Sequence, residues 1–166
     1  MNEPPKEPVK YVEATLHLPY HYVAGDYRAV QLRAFKEKKI VGSRCSKTGK
    51  VFIPPILNSP ESFAPAEEFV EVADRGVVTT FCVVNIPVIG RSLEIPYVAA
   101  SVALDGADIS IFALIQECKA EDVRMGMRVE AVWKPDAERQ GSHEDILHFR
   151  PTGEPDAPQE FYINRL

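Results

Sequence analysis

The chain has 166 residues and a formal net charge of −5 from 19 Lys+Arg and 24 Asp+Glu, which is room for one ordinary domain with a small appended lobe. An acidic total without a long Lys/Arg run argues against a protein that tracks nucleic-acid backbones. Its 14 prolines amount to about 8% against a usual level of about 5%. They exclude a helical bundle or coiled coil, because proline removes a donor and clashes with the preceding turn.

The three cysteines, Cys45, Cys82 and Cys118, are widely spaced and odd in number, so no disulfide framework is implied and a reducing compartment fits. Met1 to Pro5 lacks the basic-then-apolar order of a signal peptide. The uncharged run Gly76–Gly90 is too short and too polar to span a membrane. These features predict a cytoplasmic protein.

In chain order, residues 1–18 read as an extended arm, with Pro4, Pro5 and Pro8 and little to bury. Pro19 blocks a helix in the aromatic stretch that follows. Asp26 is the expected N-cap of one short helix over Tyr27–Glu37, with apolar groups at 27, 30–31 and 34–35. Two strand-like runs, Ile40–Cys45 and Lys50–Ile53, flank the turn Ser46-Lys47-Thr48-Gly49. An irregular, proline-rich connection follows to Pro65. The second half predicts strands at Phe69–Ala73, Val77–Val84, Tyr97–Leu104, Ile109–Ile115, Met127–Trp133 and Ile146–Arg150. Asp74-Arg75-Gly76 between the first two reads as a hairpin turn, and Lys119–Gly126 as a short helical turn. About five antiparallel strands with no room for crossover helices imply a small barrel over 67–150. A Pro-rich tail occupies 151–166.

Pro96-Tyr97-Val98, Val102-Ala103-Leu104-Asp105-Gly106 and Glu121-Asp122-Val123-Arg124-Met125-Gly126-Met127-Arg128-Val129, behind a short helix and a Cys-bearing hairpin, resemble the DUF35 family. The resemblance covers Pro19 to Phe149 and implies a rubredoxin-like zinc ribbon over 19–66 followed by an OB-fold. The fold class expected is therefore mainly β: a short N-terminal helix and ribbon hairpin, then a five-stranded OB-fold barrel. The family ribbon carries two Cys-x-x-Cys knuckles. Here the first is reduced to Cys45 with Thr48, and the second falls near Asn58 and Glu61 with no cysteine. One thiolate with Thr, Asn and Glu is not a structural zinc set, so the ribbon is expected to be metal-free and no cofactor is implied. Its hairpin would instead be held by Val51, Phe52, Ile53 and the helix.

No catalytic constellation converges in the sequence. His17, His21, His143 and His148 are isolated, and Pro19 separates the first two. Cys82 and Cys118 read as inert core thiols, while Cys45, between Arg44 and Lys47, would be the more acidic one. There is no phosphate-binding glycine loop and no Gly-x-Ser-x-Gly; Gly76 and Gly90 read as turn formers. The chain is therefore expected not to be an enzyme.

An OB-fold invites a single-strand nucleic-acid reading, with Phe81, Tyr97, Phe112 and Trp133 as stacking faces, and this is the alternative function. The resemblance favours another: DUF35 proteins accompany thiolase-superfamily enzymes, including steroid side-chain aldolases, and sometimes MaoC-type hydratases. They support acyl-CoA processing in hetero-oligomers. It implies a non-catalytic subunit of lipid or steroid metabolism, meeting its partner through the helix and ribbon (Tyr27, Val30, Phe52), the apolar loop (Ile86, Val88, Ile89) and the tail (Phe161, Tyr162). Arg44, Lys47 and Lys50 are candidate contacts for a CoA phosphate.

Protein purified without added zinc is expected to contain far less than one zinc per chain by inductively coupled plasma analysis. Stoichiometric zinc would overturn the metal-free reading.

Overall fold

The computed structural model describes residues 14, 16–87 and 93–165. The loop candidates Val88 and Ile89, and most of the 1–18 arm, lie outside them. The helix α1 spans Asp26–Lys36 and places Ala34, Phe35 and Gln31 on its buried side. Gly25, not Asp26, holds the N-cap position, with φ +77° and no side-chain cap. Asp26 instead sits in the first turn, where its charge complements the helix dipole.

Strands β1 (Ile40–Arg44) and β2 (Val51–Phe52) form the expected hairpin, with Ser43 opposite Phe52 and Arg44 opposite Val51. Strand β3 (Glu68–Val72) lies on the other edge of β1, paired from Ile40↔Val72 to Arg44↔Glu68. The segment expected to open the barrel thus completes the ribbon sheet, in the order β2-β1-β3. Asp74-Arg75-Gly76 is accordingly not a hairpin turn. There the chain leaves one sheet for the other: β3 pairs with β1, and β4 (Arg75–Val84) pairs with β5 (Tyr97–Leu104) and β7 (Arg128–Trp133). Gly76 lies inside β4, where a Cβ would run into the Ala103 carbonyl. It is a close-approach glycine rather than a turn former.

The barrel closes in the order β4-β5-β6-β8-β7, with β6 at Ile111–Ile115 and β8 at Ile146–Pro151. Its pairings are antiparallel except β6–β8, which is parallel and meets in register only at Ile115↔Phe149. This is the mainly β, five-stranded OB-fold barrel that the sequence predicts. The 3₁₀ turn Ala120–Asp122 fulfils the short-turn expectation. Inward residues of both lobes form one cluster: Phe35, Ile40, Val51, Ile53 and Val72 from helix and ribbon, continuous with Val78, Val102, Leu104, Val129 and Phe149 of the barrel. No helix among the described residues is long and apolar enough to cross a membrane.

The tail docks on its own barrel. Ala157 N–H donates to the Gly126 carbonyl at 2.8 Å and Thr152 N–H to that of Arg128 at 3.0 Å. Arg124 forks onto Asp156 at 2.6 and 2.7 Å. The short helix α2 (Gln159–Tyr162) sets the Phe161 ring against the guanidiniums of Arg128 and Arg165.

The β7–β8 connection is fastened by Asp145, which is fully buried. Its carboxylate accepts N–H bonds from Gly141 (2.7 Å), Ser142 (3.0 Å) and Gln140 (3.2 Å). Burial works against its charge, but the backbone donors of Ser142, Gln140 and Gly141 outweigh it and hold the carboxyl below its ordinary range. Asp145→Ala strands those donors, so it is expected to cost about 2–4 kcal/mol in chemical denaturation. Because the folded carboxyl is the stronger acid, its stabilisation is present above the unfolded value of about 3.9 and is lost below it. The gap between wild type and variant should therefore narrow as pH falls below about 4.

Candidate partner interface

The two ribbon turns converge around Cys45. Thr48 N–H points at Cys45 Sγ at 3.4 Å, and the Ser62 hydroxyl lies 3.3 Å from it. Ser59 is buried, and its hydroxyl accepts from Ser62 N–H at 3.4 Å. The second degenerate knuckle is therefore Ser59-x-x-Ser62, one residue beyond the expected Asn58 and Glu61. Asn58 instead donates to the Phe63 carbonyl, and Glu61 pairs with Lys50 at 2.6 Å. A thiol with three hydroxyls does not fit zinc, which takes thiolate, imidazole or carboxylate ligands. Among the described residues no group of three or more His, Cys, Asp or Glu is placed to hold a metal.

The Ser62 hydroxyl, then Thr48, lower the Cys45 thiol to about 6 against the opposing effect of burial. The cause is this hydrogen-bond set, joined by the Lys47 backbone, and not the charges of Arg44 and Lys47. Cys45 is itself buried, away from solution reagents. Cys82 departs from its expected place in the core: it faces outward on β4 and is exposed. Cys118 is half-buried, and burial, then Asp122, pushes its thiol up. His148 is bonded to Glu117 at 2.9 Å and Cys45 to the ribbon hydroxyls, so the two do not form a nucleophile–base pair.

The candidate contact residues separate. Tyr27 packs at a tilt against Phe69 with centroids 5.4 Å apart, and Val30 lines a shallow groove beside Val41 and Phe69. Phe52 is removed from this surface, since its strand pairing turns it into the interior. Beyond β4 in sequence Ile86 is 75% exposed, and Phe81, Val83 and Ile95 are exposed as well. Phe81 and Val83 stand opposite buried Ala100 and Val98. They emerge because β7 covers β4 only from Arg75 to Val77. Phe161 and Tyr162 are half-buried in the docked tail.

The basic cluster is largely neutralised: Arg44 faces Glu68 at 3.3 Å and Lys50 faces Glu61, leaving Lys47 as its unpaired member among the described residues. The stacking aromatics do not line up either. Phe112 lies outward opposite Ser101, Phe81 shares the inward register of Ala100, and Trp133 packs edge-on against Phe35. Arg91 is the only Lys or Arg between Gly76 and Cys118. A nucleic-acid platform needs both aromatics in file and cations beside them.

One feature escaped the sequence reading. Leu16, Leu18, Tyr20, Tyr22 and Val23 are all strongly exposed, and the alternation of the first four was the legible signal. Phe112, offered as one of four stacking faces, is 88% exposed. Only the register against Ser101 turns it outward.

The variant Thr48→Cys/Ser59→Cys/Ser62→Cys is expected to gain one zinc per chain by plasma emission analysis, because Thr48 and Ser62 reach Cys45 and Ser59 reaches Ser62. Failure to bind zinc in a folded variant would refute that arrangement.

Comparison with known proteins agrees with this architecture. Residues 69–134 match the family described as "ChsH2, C-terminal OB-fold domain". A "DUF35 domain-containing scaffold protein" of Methanocaldococcus jannaschii is 35% identical over 105 residues, covering 61% of this chain and 73% of that protein. One of the same description from Methanothermobacter thermautotrophicus is 29% identical over 97 residues, covering 57% and 71%. Among solved structures, an "Ltp2-ChsH2(DUF35) aldolase" chain superposes with TM-score 0.60 at 24% identity, over 79% of this chain and 98% of that one. A DUF35 protein of Sulfolobus solfataricus gives 0.54 at 18%, over 74% and 81%. With a relative 35% identical over 73% of its own length, the chain belongs to the DUF35 family.

Proposed function

We propose that this chain is a non-catalytic accessory subunit that assembles with a thiolase-superfamily enzyme, of thiolase or steroid side-chain aldolase type, and supports acyl-CoA processing. Two curated relatives carry the name scaffold protein, and a solved structural neighbour is part of an aldolase. The observation that carries the reading is the exposure, among the described residues, of the apolar side chains Ile86, Ile95, Phe81 and Val83 on and after β4. Clustered exposed aliphatics of this kind mark contact surfaces. The second contact area is the Tyr27–Phe69–Val30 surface on the helix side. The absence of a nucleophile–base pair around Cys45 and His148 supports a role without chemistry of its own.

In this reading the assembly is a cytoplasmic hetero-oligomer, and a MaoC-type hydratase is a further partner. CoA would touch this chain at most near Lys47, since Arg44 and Lys50 are held by carboxylates.

The test is co-expression with a thiolase-superfamily enzyme from the same organism, followed by size-exclusion chromatography. The two are expected to co-elute, and Ile86→Asp or Val30→Asp to weaken the complex by about tenfold or more, as loss of a buried apolar anchor does. Separate elution, with each protein soluble and the enzyme fully active alone, would refute the proposal.

A further inference from the structure

The single register pair between β6 and β8 leaves an opening in the barrel wall. Gln116 N–H donates to the Phe149 carbonyl at 2.9 Å beside that pair. Toward Ile111 and Ile146 the strands part, and α1 lies over the gap. The resulting cleft of about 380 Å³ has apolar walls that include Phe35, Ile53, Ile111, Leu114, Ile146 and Leu147. That volume falls within the range of small-ligand sites.

Two polar groups in this cleft lack the partners their chemistry requires. Gln31 is only 4% exposed, and its Oε1 is buried without a hydrogen-bond donor among the described residues. Buried polar atoms in folded proteins are almost always paired, so an orphan acceptor lining a cavity marks a place where a donor is brought in. Arg28 stands one helical turn earlier on the same face. Its Nη2 lies 3.0 Å from His143 Nε2, and no carboxylate is within ion-pair distance of it among the described residues. Burial, then the neighbouring Arg28 charge, depress the His143 pKa. The neutral ring therefore accepts from Arg28 and leaves its positive charge uncompensated.

We propose that the cleft between α1, β6 and β8 is a binding site for an apolar carboxylate that carries a hydroxyl or amide N–H close to the carboxyl group. The carboxylate pairs with the Arg28 guanidinium, whose planar fork suits it. The donor satisfies Gln31 Oε1, and the hydrocarbon lies along Ile53, Ile111 and Leu114. A purely apolar ligand would leave both polar groups unanswered, and a plain carboxylate would answer only one. Neither the surface at Ile86 nor that at Tyr27 takes part, so this site stands independently of the assembly proposed above.

The protein carries its own reporter. Trp133, the sole tryptophan, packs edge-on against Phe35 at 5.8 Å, and Phe35 lines the cleft. Titration of the full chain with 3-hydroxydecanoate, below its micelle-forming concentration, is expected to change tryptophan emission saturably at one site, confirmed by calorimetry. Decanoate should bind about five- to tenfold more weakly, the loss of one hydrogen bond to a buried acceptor. Gln31→Leu should abolish that difference while retaining decanoate binding, and should unfold at the same temperature as wild type or higher. Arg28→Met should weaken both ligands by about tenfold or more. Absence of saturable binding would overturn the proposal, as would binding that both substitutions leave unchanged. A marked fall in the melting temperature of Gln31→Leu would also overturn it, because it would show that Gln31 already has a structural partner.

Discussion

The arrangement rests on the seam between ribbon and barrel. Val51 and Asp108 exchange two hydrogen bonds across it: Val51 N–H donates to the Asp108 carboxylate at 2.8 Å, and Asp108 N–H to the Val51 carbonyl at 2.9 Å. Around this clasp Ile40, Val51, Ile53 and Val72 share a core with the barrel's Val102, Leu104 and Ala107. Burying the ribbon's apolar face against the barrel supplies the drive, and the paired backbone groups set the register. Because the ribbon is fixed there, α1 is fixed too, with Phe35 in that same core and Gln31 and Arg28 over the β6–β8 gap.

This seam explains how a ribbon persists with a ligand set that does not suit zinc. In a metal ribbon four thiolates tie the two knuckles together. Here the turns are joined by a thiol, hydroxyls and backbone N–H groups around Cys45 and Ser62. Ser43 closes the same region by accepting from Ile56 N–H at 2.9 Å. Individual hydrogen bonds are worth far less than a metal site, so the burial of Val51, Phe52 and Ile53 carries the hairpin.

Charge and apolar surface are distributed differently. Most basic side chains of ribbon and barrel face acids: Lys39 with Glu71, Arg75 with Glu154, Arg128 with Asp105, Arg150 with Glu130. Such surface pairs add little stability, but they leave few cations to attract phosphates. The groups left unanswered among the described residues are mostly apolar, at Phe81, Val83, Ile86 and Ile95 and along Leu16–Val23, together with Lys47, Arg28, Gln31 and Arg165. A protein whose unsatisfied surface is more apolar than charged is suited to assembly more than to polyanion binding.

Much of this was legible in the amino-acid sequence. Short apolar runs between turn signals set the strands, and Tyr97–Leu104 matches its β-strand residue for residue. The family resemblance and the loss of ribbon cysteines were equally legible, being statements about residue identity. Pairing was not. The assignment of β3 to the ribbon, the close approach at Gly76 and the outward turn of Phe112 depend on which strand lies beside which. A one-residue change of register exchanges the two faces of a strand, and that choice is made by contacts distant in sequence. The ribbon shows the same limit: position alone pointed to Asn58 and Glu61, whereas the folded turn brings Ser62 to Cys45 and Ser59 to Ser62. By itself the sequence determined the elements, the fold class and the absence of a thiolate set. Tertiary structure alone decided which side chains meet, including the orphan Gln31 above the parted strands, because an unpaired group is defined by its neighbours and not by its name.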